Sequence, residues 1–376
     1  MKIGLNLLPV VPGIGGAWHY IANLLSALAE YDRANEYVAL VTSASAALVP
    51  KRSNFMSIEL QIHARWRPLR IAFENSVLPV VTRKYQLDCM HHFFGTLPFF
   101  GSEPSVVSVF DLMVFVRPAD FSYTKRAYLQ WMRRRAASEA TVLAPMSQST
   151  ADSLSDLLGV PKHRMSIVPT AIGPAFHRRE ARDVQSFRER FQLDETFWLC
   201  VADAQPHKNL LRLVEAFAQL RAASPGGWPL VIRGGCSDDV ARLVAARSME
   251  RHVRILPWLN DDEMPLLYSA AGALVFPSLF EGGGLPVMEA MCCGCPVVAS
   301  DLPTTREFAL DAALTFDPRS VTDMARAMRE CECMPATRER LATSGRLLAT
   351  QFNPASVAAA CLEAYRRAVN AEHVAS

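Results

Sequence analysis

Short apolar runs alternate along the chain with longer segments whose apolar positions recur every three or four residues. This is the pattern of parallel strands joined by crossover helices in an α/β fold. It runs twice. In the first half it predicts strands at 2–7, 37–42, 105–110 and 141–145 and helices at 17–30 and 122–140. Ser147-Gln148-Ser149-Thr150 then opens a further helix with hydroxyls suited to capping its unpaired amides. In the second half it predicts strands at 197–202, 228–233, 253–256, 274–277 and 296–299, with helices at 209–223 and 286–292. The organisation expected is two doubly wound domains facing an interdomain cleft. Residues 1–172 form the first domain, 173–190 a linker, 191–354 the second domain and 355–376 a final helix. Periodicity leaves open whether that helix packs on its own domain or on the first. No repeat period and no low-complexity tract is present, which excludes solenoids and propellers.

The 376 residues suit two domains. Half are hydrophobic and a fifth charged, which excludes disorder as the main theme. A net charge of +2 is too near neutral for the whole molecule to bind nucleic acid electrostatically. The charge is unevenly spread: residues 1–175 carry 17 Lys/Arg and 12 Asp/Glu, net +5, leaving 22 and 25, net −3, for the remainder. The nine cysteines are an odd number, several within apolar runs, as reduced core thiols would be. Cys292, Cys293 and Cys295 lack an evident fourth ligand for a tetrahedral metal and are read as packing residues. No stretch approaches the ~20 apolar residues that span a bilayer, and the first residues lack a signal peptide's cleavage region. A cytoplasmic protein is the expectation.

Three segments carry candidate chemistry. Pro12-Gly13-Ile14-Gly15-Gly16 lies between the first strand and its helix, where glycines admit a ligand close to the backbone and a helix start attracts an anion. A plain glycine-rich turn is the alternative. Gln205-Pro206-His207-Lys208-Asn209 occupies the corresponding turn of the second half. There Lys208 can place a charge on a phosphate while Asn209 caps the next helix, or can be a surface lysine beside a cap. The sharpest is Glu281-Gly282-Gly283-Gly284-Leu285-Pro286-Val287-Met288-Glu289. Its glycines expose amides at a helix start, with one carboxylate before the turn and one after it. Such a set suits a polyhydroxylated phosphate ester: amides for the anion, carboxylates for hydroxyl protons.

With these segments, Phe110-Asp111-Leu112, Leu266-Leu267-Tyr268 and Pro277-Ser278, the chain resembles the retaining glycosyltransferase family 4, of two-domain GT-B fold, over nearly its whole length. Within that family it looks most like bacterial mannosyltransferases. The resemblance implies two Rossmann-like domains, the N-terminal for acceptor and the C-terminal for nucleotide-sugar. It implies that Gly15 and Gly16 approach the donor, with His207 and Lys208 at the leaving phosphate and Asp111 among the catalytic residues. Glu281, Gly283, Gly284 and Leu285 would hold sugar hydroxyls and phosphate, and Glu289 the ribose. No cofactor or metal is implied, and the sequence has no Asp-x-Asp of the metal-dependent transferase type.

Phe110 stands where relatives often carry a histidine beside the donor sugar. Either His91 or His92 substitutes, or the sugar lacks the group that histidine binds, as a 6-deoxyhexose would. The implied donor is GDP-mannose or a related hexose or 6-deoxyhexose nucleotide, and the acceptor a saccharide or lipid-linked saccharide of a bacterial surface polysaccharide. A nucleotide-sugar epimerase and a catalytically impaired binding subunit are the alternatives. Residues 125–135 place Lys125, Arg126, Arg133, Arg134 and Arg135 among Tyr128, Leu129, Trp131 and Met132. They form either a core-packed helix with a solvated basic face or a contact with the anionic inner face of the membrane. Oligomeric state is not legible.

Overall fold

The structure, a computed structural model, describes residues 1–11, 15–61, 67–101 and 104–375. Pro12, Gly13 and Ile14 of the first glycine-rich segment lie outside the described residues. The chain divides into two compact units, one of Met1–Ala171 with Asn353–Ser376 and one of Ile172–Phe352.

The first unit is built on six parallel strands: β1 (Lys2–Asn6), β2 (Glu36–Val41), β3 (Phe55–Glu59), β4 (Cys89–His92), β5 (Ser105–Val109) and β6 (Val142–Pro145), in the order β3-β2-β1-β4-β5-β6. The order reverses direction between β1 and β4, where Asn6 and His92 are register partners. Strands buried on both faces read as unbroken apolar runs, as in β5, all five residues of which are buried. Helix Gly15–Tyr31 packs one face through Tyr20, Ile21, Leu24 and Leu28. The last helix, Pro354–Ala375, packs the same core through Val357, Ala358, Cys361, Ala364, Tyr365 and Ala368.

The second unit repeats the plan with β7 (Trp198–Val201), β8 (Leu230–Arg233), β9 (Val253–Leu256), β10 (Ala273–Phe276), β11 (Val297–Ser300) and β12 (Ala313–Phe316), in the order β12-β11-β10-β7-β8-β9. Here the reversal falls between β10 and β7. The fold is GT-B: two parallel six-stranded sheets with flanking helices.

The stretch 173–190 is not free linker. Helix Ala181–Phe191 begins within it, with Val184 and Phe187 buried in the second unit's core. It is fastened to helix Met264–Ala270 by Arg188, whose Nη2 donates to the Ala270 carbonyl at 2.7 Å. Its high charge hides a narrow apolar stripe of two inward residues.

Candidate active site

In open α/β sheets ligands gather outside the carboxyl ends of the strands, at the point where strand order reverses. In the second unit the loops leaving β7 and β10 flank that point, and they carry Lys208 and Glu281. The two loops are tied directly: the Leu279 amide donates to the His207 carbonyl at 2.7 Å, and Asn209 Nδ2 donates to the carbonyls of Pro277 at 2.9 Å and Pro318 at 2.8 Å. Asn209 therefore does not cap the following helix with its side chain. Its backbone is left-handed, φ +59°, and its amide donor is used to join three loops. His207 is buried beneath them.

Lys208 Nζ donates to Glu281 Oε1 at 2.7 Å, both side chains being less than a fifth exposed. Burial opposes the lysine's charge, but the adjacent Glu281 carboxylate outweighs it and raises the Lys208 pKa above its ordinary value. An anion reaching this site meets a charged lysine already held by a carboxylate.

Beyond Glu281 the chain turns at Gly284, φ +62°, with open space where a Cβ would stand, and enters helix Leu285–Cys292. A non-glycine residue here would be strained even though it meets no atom. Proline at the second helical position has no amide to leave unpaired, and the Val287 amide is taken up by the Gly284 carbonyl at 2.9 Å, so it is the amides before them, at the helix start, that lack partners within the helix. Glu289 follows inside this helix, its Oε2 accepting from the Tyr268 hydroxyl at 2.7 Å. Burial, and then the Glu289 carboxylate, push the Tyr268 phenol well above its usual pKa. The motif thus presents amides at the helix start between two glutamates, each in contact with a donor from another element.

Arg233 and Trp258 complete this end of the sheet. Arg233 closes β8 with its guanidinium 3.9 Å from the Trp258 ring centroid and its Nη2 donating to the Leu259 carbonyl at 2.9 Å. Burial lowers its pKa from the usual arginine value, while Tyr268 and Glu289 favour its charge. A basic residue ending a buried strand before Gly234-Gly235 was the available signal.

In the first unit, Gly15 has φ +70° and open space where a side chain would stand, and Gly16 follows in the opening turn of the helix. Asp111 accepts from the Met113 amide at 2.9 Å and so starts the short helix Met113–Val116. Phe110 is set edge-on to Tyr20 and Phe94 at 5.0 and 5.3 Å.

His91 cannot supply the missing contact at a donor sugar. It is fully buried, with Nδ1 on the Tyr365 hydroxyl and Nε2 on Ser108 Oγ, both at 2.8 Å. Burial pulls its pKa down to about 3. His92 is also buried, 3.3 Å from Asn6 Nδ2, its pKa lowered by burial to about 4. Both are neutral core groups, because β4 is an inner strand whose alternate side chains enter opposite packed faces.

Helix Tyr123–Glu139 is only partly the predicted basic face. Arg133 donates to the Phe94 carbonyl, and Arg135 to the carbonyls of Leu97 and Pro98 at 3.1 and 2.8 Å. These two cations anchor the segment after β4. Lys125 and Arg134 remain exposed, as do Tyr123 and Trp131. The cysteines at 293 and 295 are buried in the core, and burial raises the thiols of Cys292 and Cys295 to about 12. Among the described residues no group of three or more His, Cys, Asp or Glu could hold a metal ion, and no helix is long and apolar enough to cross a membrane.

Residues 181–348 match the family described as Glycosyl transferases group 1. The chain is 27% identical to O-antigen chain mannosyltransferase B of Escherichia coli over 268 residues, 70% of each chain. It is 24% identical to O-antigen chain mannosyltransferase RfbU of Salmonella typhimurium over 340 residues, 85% of this chain and 88% of the relative. Among solved structures, sucrose-phosphate synthase of Thermosynechococcus elongatus superposes with a TM-score of 0.82 at 20% identity, each chain covered in full.

Proposed function

Starting from a GT-B glycosyltransferase whose second unit matches the group 1 transferases, we propose a retaining, family 4-like hexosyltransferase that uses a nucleotide-diphosphate sugar. GDP-mannose is the first donor, with a 6-deoxyhexose nucleotide as the variant. The acceptor is a saccharide or lipid-linked saccharide in bacterial surface polysaccharide assembly. Two relatives named as O-antigen mannosyltransferases support the sugar and the pathway class.

The observation that carries the reading is the Lys208–Glu281 contact at the strand-order reversal of the second unit. Glycosyl transfer builds positive charge at the anomeric carbon and negative charge on the departing diphosphate. Prearranged donors that meet that negative charge lower the barrier. Lys208 and the amides of Gly283, Gly284 and Leu285 supply them, and the scheme uses no metal. Glu281 accepts from sugar hydroxyls once the diphosphate draws Lys208 away, and Glu289 accepts from the ribose. The second unit is assigned the nucleotide-sugar and the first the acceptor.

Exposed Tyr123 and Trp131 beside Lys125 and Arg134 fit peripheral contact with an anionic membrane, where aromatic rings and cations share the interface. The assigned place is the cytoplasmic face.

Incubation with a panel of nucleotide-sugars and a lipid-linked acceptor tests the function. Transfer with an α-linked product from GDP-mannose is expected. An epimerised nucleotide-sugar, or binding without turnover when acceptor is present, would refute it. Better turnover of GDP-rhamnose or GDP-fucose than of GDP-mannose would select the 6-deoxy donor.

A further inference from the structure

Glu289 is held by a residue to which no role has yet been given. Tyr268 belongs to helix Met264–Ala270, its ring fully buried, and its hydroxyl reaches Glu289 Oε2 at 2.7 Å. The direction of that bond is fixed. A phenol whose acidity is suppressed by burial and by a neighbouring carboxylate keeps its proton, so tyrosine donates and glutamate accepts. A glutamate side chain has three torsions to lose on binding. A charge-assisted bond from a ring locked in the core removes that freedom before a ligand arrives. Arg233 adds a cation whose field favours the charged form of the same carboxylate.

We infer that Tyr268 is a positioning residue for nucleotide recognition. It sets the plane of the Glu289 carboxylate so that the ribose diol of the donor meets a preoriented acceptor. The inference rests on the assignment of Glu289 to the ribose under the proposed function.

The test compares binding of GDP with 2′,3′-dideoxy-GDP, and of UDP with its dideoxy analogue, to wild type, Tyr268→Phe and Glu289→Ala by calorimetry. Phenylalanine keeps the ring and its packing and removes only the hydroxyl. Wild type should prefer the ribonucleotide of whichever base it binds by roughly tenfold or more, as a bond to a charged group warrants. Glu289→Ala should erase the preference, and Tyr268→Phe should reduce it at least several-fold. A purely structural tyrosine would lower thermal stability and weaken both nucleotides equally, leaving their ratio unchanged. Retention of the wild-type ratio in Tyr268→Phe, with its loss in Glu289→Ala, would overturn the positioning role alone. If wild type shows no preference, or Glu289→Ala keeps it, the ribose assignment itself is refuted and the inference falls with it.

Discussion

The paired histidines of β4 make the first unit sensitive to acid, and replacing one of them isolates the effect. Burial holds His91 near 3 and His92 near 4, against about 6.5 in an unfolded chain. Between those values the unfolded chain binds more protons than the folded one. Their contribution is therefore complete above about pH 6.5 and is lost as pH falls through 6.5 toward each folded value. At pH 4.5, proton linkage gives a loss of roughly 2–3 kcal/mol from each imidazole, relative to pH 7.5, and roughly twice that from the pair. That is a large share of the ~5–15 kcal/mol that ordinary domains possess. His91→Gln can still donate to one hydroxyl and accept from another, yet it does not titrate. Native-state hydrogen exchange at the β1 and β4 amides reports the stability of the first unit alone. Between pH 7.5 and 4.5 the variant should lose roughly 2–3 kcal/mol less than wild type, because every other titrating group is common to both. Equal losses in the two proteins, within ~0.5 kcal/mol, would refute the buried neutral imidazole assigned to His91.

Lys208→Ala and Glu281→Ala should each lower sugar transfer by roughly a hundredfold or more while leaving the circular dichroism spectrum unchanged; near-normal turnover in a radiolabelled donor assay would remove the site assignment. Gly284→Ala adds no clash but puts a side chain at φ +62°, so it should cost about 1–2 kcal/mol, read as a lower melting temperature. Glu332→Gln breaks the buried contact to Arg221, in which the two side chains are 7% and 3% exposed; a loss of ~3–5 kcal/mol is expected on denaturant unfolding. Trp131→Ala combined with Lys125→Glu should abolish co-sedimentation with anionic vesicles at low salt. Unchanged sedimentation would dismiss this helix as the membrane contact.

The sequence was most legible where one segment carries its own signal. Inner strands such as β10, Ala273–Phe276, are continuous apolar runs, and their positions follow from hydrophobicity alone. The Glu281–Glu289 segment declares itself by glycine and carboxylate spacing, and the structure sets it where Lys208 can reach it. Other elements were hidden by their surroundings. β3 is an edge strand with no fully buried residue, helix Arg67–Tyr85 contains Pro79, and β4, Cys-Met-His-His, looks like ligands and is core. Identity in space decided these cases. His91 is a core group because of Tyr365, 274 residues away, and two of the arginines at 133–135 are anchors because of carbonyls some 38 residues back. Tyr268 and Arg233 lay in plain view but acquire meaning only from Glu289 and Trp258, which periodicity does not connect to them.

The return of the last helix to the first unit has a consequence for the order in which the molecule matures. A ribosome delivers residues 1–171, then all of 172–352, before it makes the strip from Val357 to Ala368 that completes the first core. At about 5–20 residues per second, part of that core waits roughly 10–40 s for its final layer. The second unit, contiguous in sequence, has everything it needs as soon as it emerges. Nascent-chain complexes stalled before residue 353 should therefore bind chaperones through the N-terminal sheet, around the empty places of Tyr365 and Cys361. The half that is made first is the half that is finished last.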